Sequence, residues 1–102
     1  MIFTGSVAEC FAKEMGYTHK EFLDNLPAAL KGAEFEMLNS TEIRIPVHEG
    51  HLMIVLGEPR KRNIASISLP FMQVTFKFSG VAEEERTRFY RQFQRSYQKG
   101  GG

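Results

Sequence analysis

Cysteine is nearly absent. Cys10 is the only one in 102 residues, so no disulfide can close within the chain. The multi-cysteine zinc sites are excluded with it, and a lone thiol fits a reducing compartment. Long apolar runs are missing too. No stretch approaches the roughly 20 apolar residues that a spanning helix needs. The opening segment, MIFTGSVAECFAKEMG, reaches Glu9 before a long apolar run forms, so it reads as neither a signal nor a transit peptide. The expected location is the cytoplasm. Tryptophan is absent and phenylalanine occurs nine times, which points to a core of Phe, Ile, Leu and Val. No repeat and no Pro/Gly/Ser-rich linker divides the chain, so residues 1–99 read as one compact domain and residues 100–102 as a glycine tail. The catalytic signatures are missing as well. There is no G-x-S-x-G, P-loop, G-x-G-x-x-G or H-E-x-x-H. Cys10 has no base beside it in sequence and reads as a small, partly buried thiol.

What remains is an ordinary globular composition, 42% hydrophobic and 25% charged, which disfavours disorder. The net charge of +1 hides a segregation. Residues 1–57 carry four cations against eight carboxylates, and residues 58–102 carry nine cations against four. Such asymmetry marks either an anionic partner or acidic and basic elements that meet in the fold.

The patterning predicts an α+β fold: two N-terminal helices, an antiparallel sheet of 3–5 strands, and a C-terminal helix packed on it. Ser6 and Glu9 have capping-box spacing, and Val7, Phe11 and Met15 recur four apart up to Gly16. Thr18 and Glu21 repeat the capping signal ahead of Phe22, Leu23, Leu26 and Leu30. Pro27 either bends that helix or opens a shorter one capped by Asn25. Residues 33–38 add a possible strand with Phe35 inward. Ile43, Ile45 and Val47 alternate with polar positions, as do Leu52, Ile54 and Leu56. A two-residue loop at Glu49-Gly50 would pair Val47 with Leu52, Ile45 with Ile54 and Ile43 with Leu56. Residues 57–63 read as a polar connection, and residues 64–69 and 71–78 as strands. Leu69-Pro70 is either a turn between them or a kink in one long strand. The last helix runs from about Val81 to Gln98, with Phe89, Phe93 and Tyr97 on one stripe. Glu83, Glu84 and Glu85 complement its N-terminal dipole.

Three candidate surfaces follow. Arg60, Lys61 and Arg62, with Arg88, Arg91, Arg95 and Lys99 on the outer side of the last helix, form a potential anion- or nucleic-acid-binding face. His48 and His51 would oppose one another across the hairpin tip and supply half a metal site. Pro46, Met53 and Val55 lie on the hairpin face opposite the Ile/Leu pairs and mark a candidate protein interface. The missing catalytic constellations and this apolar face favour a small non-catalytic protein-interaction or regulatory module, homodimeric, with no cofactor and no membrane association. The alternatives are an anion- or nucleic-acid-binding protein, and a small-ligand carrier or small enzyme with a Phe/Met-lined pocket between helices and sheet.

Overall fold

A computed structural model describes residues 7–98. Ser6, Lys99 and the glycine tail lie outside these residues. The order is β1 (Cys10–Met15), α1 (His19–Ala29), β2 (Glu36–Met37), β3 (Glu42–Val47), β4 (Gly50–Leu56), β5 (Arg60–Ile64), β6 (Ile67–Ser79) and α2 (Glu83–Ser96). The α+β class with an antiparallel sheet is as expected. Among the described residues the sheet has six strands rather than 3–5, and in place of two N-terminal helices a single helix, α1, lies between β1 and β2. The path across it is β1-β6-β4-β3-β2, with β5 also paired to β6.

The segment expected as a first helix is β1, paired antiparallel to β6 from Cys10↔Lys77 to Met15↔Met72. Its apolar residues four apart satisfy both periods, because four is twice the strand repeat of two. Phe11 and Met15 face the core while Cys10, Ala12 and Glu14 face away, so the Cys10 thiol is exposed rather than partly buried, and the free edge of β6 takes up the backbone groups of β1. The second helical signal holds. Thr18 caps α1, with both bonds of the capping box to Glu21 formed. Pro27 sits inside this one helix, which forgoes the bond that its nitrogen would have donated. Asn25 is no cap. Its Nδ2 donates to the Ser96 carbonyl at 2.5 Å and ties α1 to the end of α2.

The β3–β4 hairpin forms two residues out of the expected register. Val47 pairs with Gly50, Ile45 with Leu52 and Ile43 with Ile54. A shift of two keeps every side chain on its expected face, which is why alternation alone could not detect it. The reversal is made by His48-Glu49, with His48 at φ 52°. Gly50 is no turn residue but the first residue of β4, pressed on the end of β6. A Cβ there would collide with the Ser79 carbonyl oxygen and lie 2.6 Å from that of Gly80.

Leu69-Pro70 lies within one continuous strand, the 13-residue β6. The segment expected as a connection contains β5. Leu56 pairs with Val74, Gly57 N–H donates to the Gln73 carbonyl at 2.7 Å, and pairing resumes at Arg60↔Phe71. Glu58 and Pro59 together stand against Met72, so β4 and β5 are one line interrupted by a β-bulge. Residues 64–69 are accordingly not one strand. Ala65-Ser66 turns the chain between β5 and β6, with Ala65 at φ 56°.

Both helices cover one face of the sheet. Phe93 of α2 packs edge-on against Phe76, and Phe22 of α1 packs against Phe93 and Tyr97. Ile43, Ile45, Leu52, Ile54, Met72, Val74 and Phe76 are fully buried beneath them. The expected Phe89/Phe93/Tyr97 stripe faces this core, with Phe89 half-buried. Arg86 clamps the start of α2. Its Nε donates to the Val7 carbonyl and its guanidinium to the Val81 carbonyl, both at 2.8 Å. No helix among the described residues is long and apolar enough to cross a membrane.

Candidate interaction surface

The second face of the sheet carries no helix. The pairing register sets its membership strand by strand: Cys10, Ala12 and Glu14 on β1, Gln73, Thr75 and Lys77 on β6, His51, Met53 and Val55 on β4, and Glu42, Arg44 and Pro46 on β3. Met53 and Val55 are half-buried among their neighbours and Pro46 is exposed. All three candidate interface residues therefore lie together on the open face.

Beyond the bulge, this face continues onto a two-stranded arm made of β5 and the first residues of β6. Every residue of β5 is exposed. Cross-strand partners share a face, so Arg60 with Phe71, Arg62 with Leu69, and Ile64 with Ile67 fall on the open side. Ile64, Ile67 and Leu69 are 53%, 57% and 45% exposed. Arg62 lies 4.4 Å from the Phe71 ring centroid and 3.1 Å from Glu14 on β1, which ties the arm's base to the sheet. A second exposed apolar pair, Met37 and Leu38, lies at the opposite edge, on and just after β2.

The basic residues form two separate groups. Arg60 and Arg62 lie on the open side of the arm, Lys61 on its reverse, and Arg88, Arg91 and Arg95 are exposed on α2 in the helical layer. Arg88 is engaged with Glu85 at 2.7 Å. The fold does not merge them into one positive face.

The expected opposition of His48 and His51 is not formed, because the register moved. His51 stands opposite Pro46, and His48 occupies the turn. His48 Nε2 lies 2.8 Å from Glu85 Oε1, fastening the hairpin tip to the first turn of α2. Among the described residues no group of three or more His, Cys, Asp or Glu is placed to hold a metal ion. The third histidine, His19, bonds the Gly57 carbonyl through Nε2 at 2.7 Å, linking α1 to the bulge.

A cleft of about 180 Å³ opens between β1 and α2, lined chiefly by Met15, Tyr17, Phe76, Tyr90, Phe93 and Tyr97. Tyr17 OH donates to the Tyr97 carbonyl at 2.7 Å, and Tyr97 OH to the Phe22 carbonyl at 2.6 Å. Burial raises the Tyr97 hydroxyl well above the ordinary tyrosine range, with a further contribution from Tyr17. Burial also raises Tyr90, and raises Tyr17 together with the nearby Glu21 carboxylate. These hydroxyls stay protonated near neutrality and act as donors rather than bases.

The apolar residues of the arm were not legible as a surface. Ile64, Ile67 and Leu69 flank a turn without Gly, Pro or Asn, and the only available signal was the basic run preceding them. No protein-family model matches the chain, and comparison with curated proteins and with solved structures finds no significant match.

Proposed function

We propose that the protein is a non-catalytic protein-interaction module that works as a homodimer through its open sheet face and its β5–β6 arm. One observation carries this reading: Ile64, Ile67 and Leu69 stand about half exposed on one side of a ribbon whose β5 strand buries nothing. A two-stranded ribbon is marginal by itself in water, and clustered exposed aliphatics mark association surfaces. Pro46, Met53 and Val55 extend the same face. The exposed thiol of Cys10 suits a reducing cytoplasm.

Sedimentation of the full chain over a concentration series tests this. The wild type is expected to pass from monomer to dimer, and Ile67→Asp, at an exposed position, to remain folded and monomeric. A wild type that stays monomeric at the highest concentration reached overturns the homodimer.

A ligand-carrier reading has the aromatic cleft between β1 and α2 in its favour. Native mass spectrometry of the purified protein tests it, expecting a co-purifying small apolar molecule. A mass equal to the bare chain counts against it.

A further inference from the structure

Three strands pair on one side only among the described residues, β1, β2 and β5. β1 carries both signs, Lys13 and Glu14, whereas the edges of β5 and β2 are opposite in chemistry. β5 pairs only with β6, and β2 only with β3. The β5 edge carries Arg60, Lys61 and Arg62, and no carboxylate occurs between Glu58 and Glu83. The β2 edge carries Glu36, with Glu34 just ahead of it, and no cation occurs between Lys31 and Arg44. Each edge adjoins exposed aliphatics: Ile64, Ile67 and Leu69 beside the first, Met37 and Leu38 beside the second. These are the five exposed large hydrophobic side chains among the described residues.

Resting on the interaction-module reading, we propose that the partner is a second copy of this chain, and that β5 of each copy adds antiparallel to β2 of the other, making one sheet across the dimer. The partner is selected by charge. Joining β5 to β5 sets cations against cations, and β2 to β2 sets carboxylates against carboxylates, both unfavourable directly across a ladder. Joining β5 to β2 brings the opposite signs together.

Topology supplies the geometry. β5 continues the line of β4, and β2 lies two strands further out on the same side of β6, about 10 Å away. The space beside β5 is therefore vacant of strands. β3 is antiparallel to β4, and β2 to β3, so β2 runs parallel to β5 within one copy. A half-turn about the sheet normal makes the partner's β2 antiparallel to β5 and forms both contacts at once, as a closed two-fold dimer requires. That rotation keeps the open faces on one side. Glu36, which pairs with Arg44, then shares a face with Arg60, which pairs with Phe71.

Charge reversal tests this. Arg60→Glu/Lys61→Glu leaves the Arg62–Glu14 pair intact, and Glu34→Lys/Glu36→Lys reverses the other edge. All four side chains are exposed, and circular dichroism checks that both variants fold. Each alone is expected to self-associate at least tenfold more weakly than wild type. An equimolar mixture is expected to form a heterodimer, because both of its contacts again join opposite charges. In Arg60→Lys protein, which keeps the edge cationic, mixed from two isotopic labels, a zero-length carbodiimide cross-link is expected between position 60 of one copy and Glu34 or Glu36 of the other. A dimer that survives either reversal, a mixture that stays monomeric, or a cross-linked dimer lacking that link overturns this arrangement. A monomeric wild type instead overturns the homodimer itself.

Discussion

Replacing Gly50 with alanine tests the hairpin register directly. The backbone of Gly50 lies against the end of β6, where a Cβ would strike the Ser79 carbonyl oxygen and stand 2.5 Å from the Gly80 carbonyl carbon. These are backbone atoms held by the β4–β6 ladder, so no side chain can swing away. Inserting one carbon into a packed site costs about 1–3 kcal/mol when neighbours can adjust, and here adjustment means separating two strands. The expected loss is about 3 kcal/mol or more. At roughly 4–8 °C per kcal/mol for a domain of this size, the melting midpoint should fall by at least about 12 °C. Gly32→Ala is the control. Gly32 has φ 83°, and a methyl group there would meet no atom within 4 Å, so its cost is backbone conformation alone, roughly 1–2 kcal/mol. Urea unfolding of both variants at one protein concentration gives the comparison. If Gly50→Ala costs no more than Gly32→Ala, the tip of the hairpin does not press on β6, and the register reasoning fails.

Two further outcomes follow from named contacts. Thr18→Ala removes the side-chain acceptor of the α1 capping box and should cost about 1 kcal/mol in urea unfolding; no measurable loss contradicts the cap. Burial raises the Tyr97 hydroxyl in the folded protein above its unfolded value near 10. The folded state therefore holds that proton more tightly, and the associated stability is complete below about pH 10 and declines as pH rises further. In an alkaline spectrophotometric titration followed with circular dichroism, the Tyr97 phenolate should appear only as the protein unfolds. Ordinary ionisation near pH 10 in a fully folded protein contradicts this.

The legible parts of the fold were those where one pattern had one interpretation. The Thr18/Glu21 cap placed α1, and Phe89, Phe93 and Tyr97 placed the inner stripe of α2. The alternation in β3 and β4 sorted their side chains onto the two faces. The misread parts each have a physical cause. Val7, Phe11 and Met15 fit helix and strand spacing alike, and the choice was made by the open edge of β6, a long-range partner invisible locally. Gly50 looked like a turn glycine because its neighbour across space, Ser79, is distant in sequence. β5 showed no alternation because nothing covers either of its sides, and that same lack of burial makes the arm the candidate interface. Pro46, Met53 and Val55 were identifiable from face assignment alone, whereas the arm's aliphatics required knowing that β6 outruns the sheet.

Amide hydrogen exchange of residues 60–64 across a concentration series tests the arm's role as an association element most directly. In an edge strand, alternate N–H groups point away from the neighbouring strand, so in the monomer about half of the β5 amides exchange freely. Interaction through the arm predicts that these outward amides slow as concentration rises through the dimerisation range, together with amides of residues 34–38. Fast exchange of the β5 amides in a sample shown to be dimeric would contradict it.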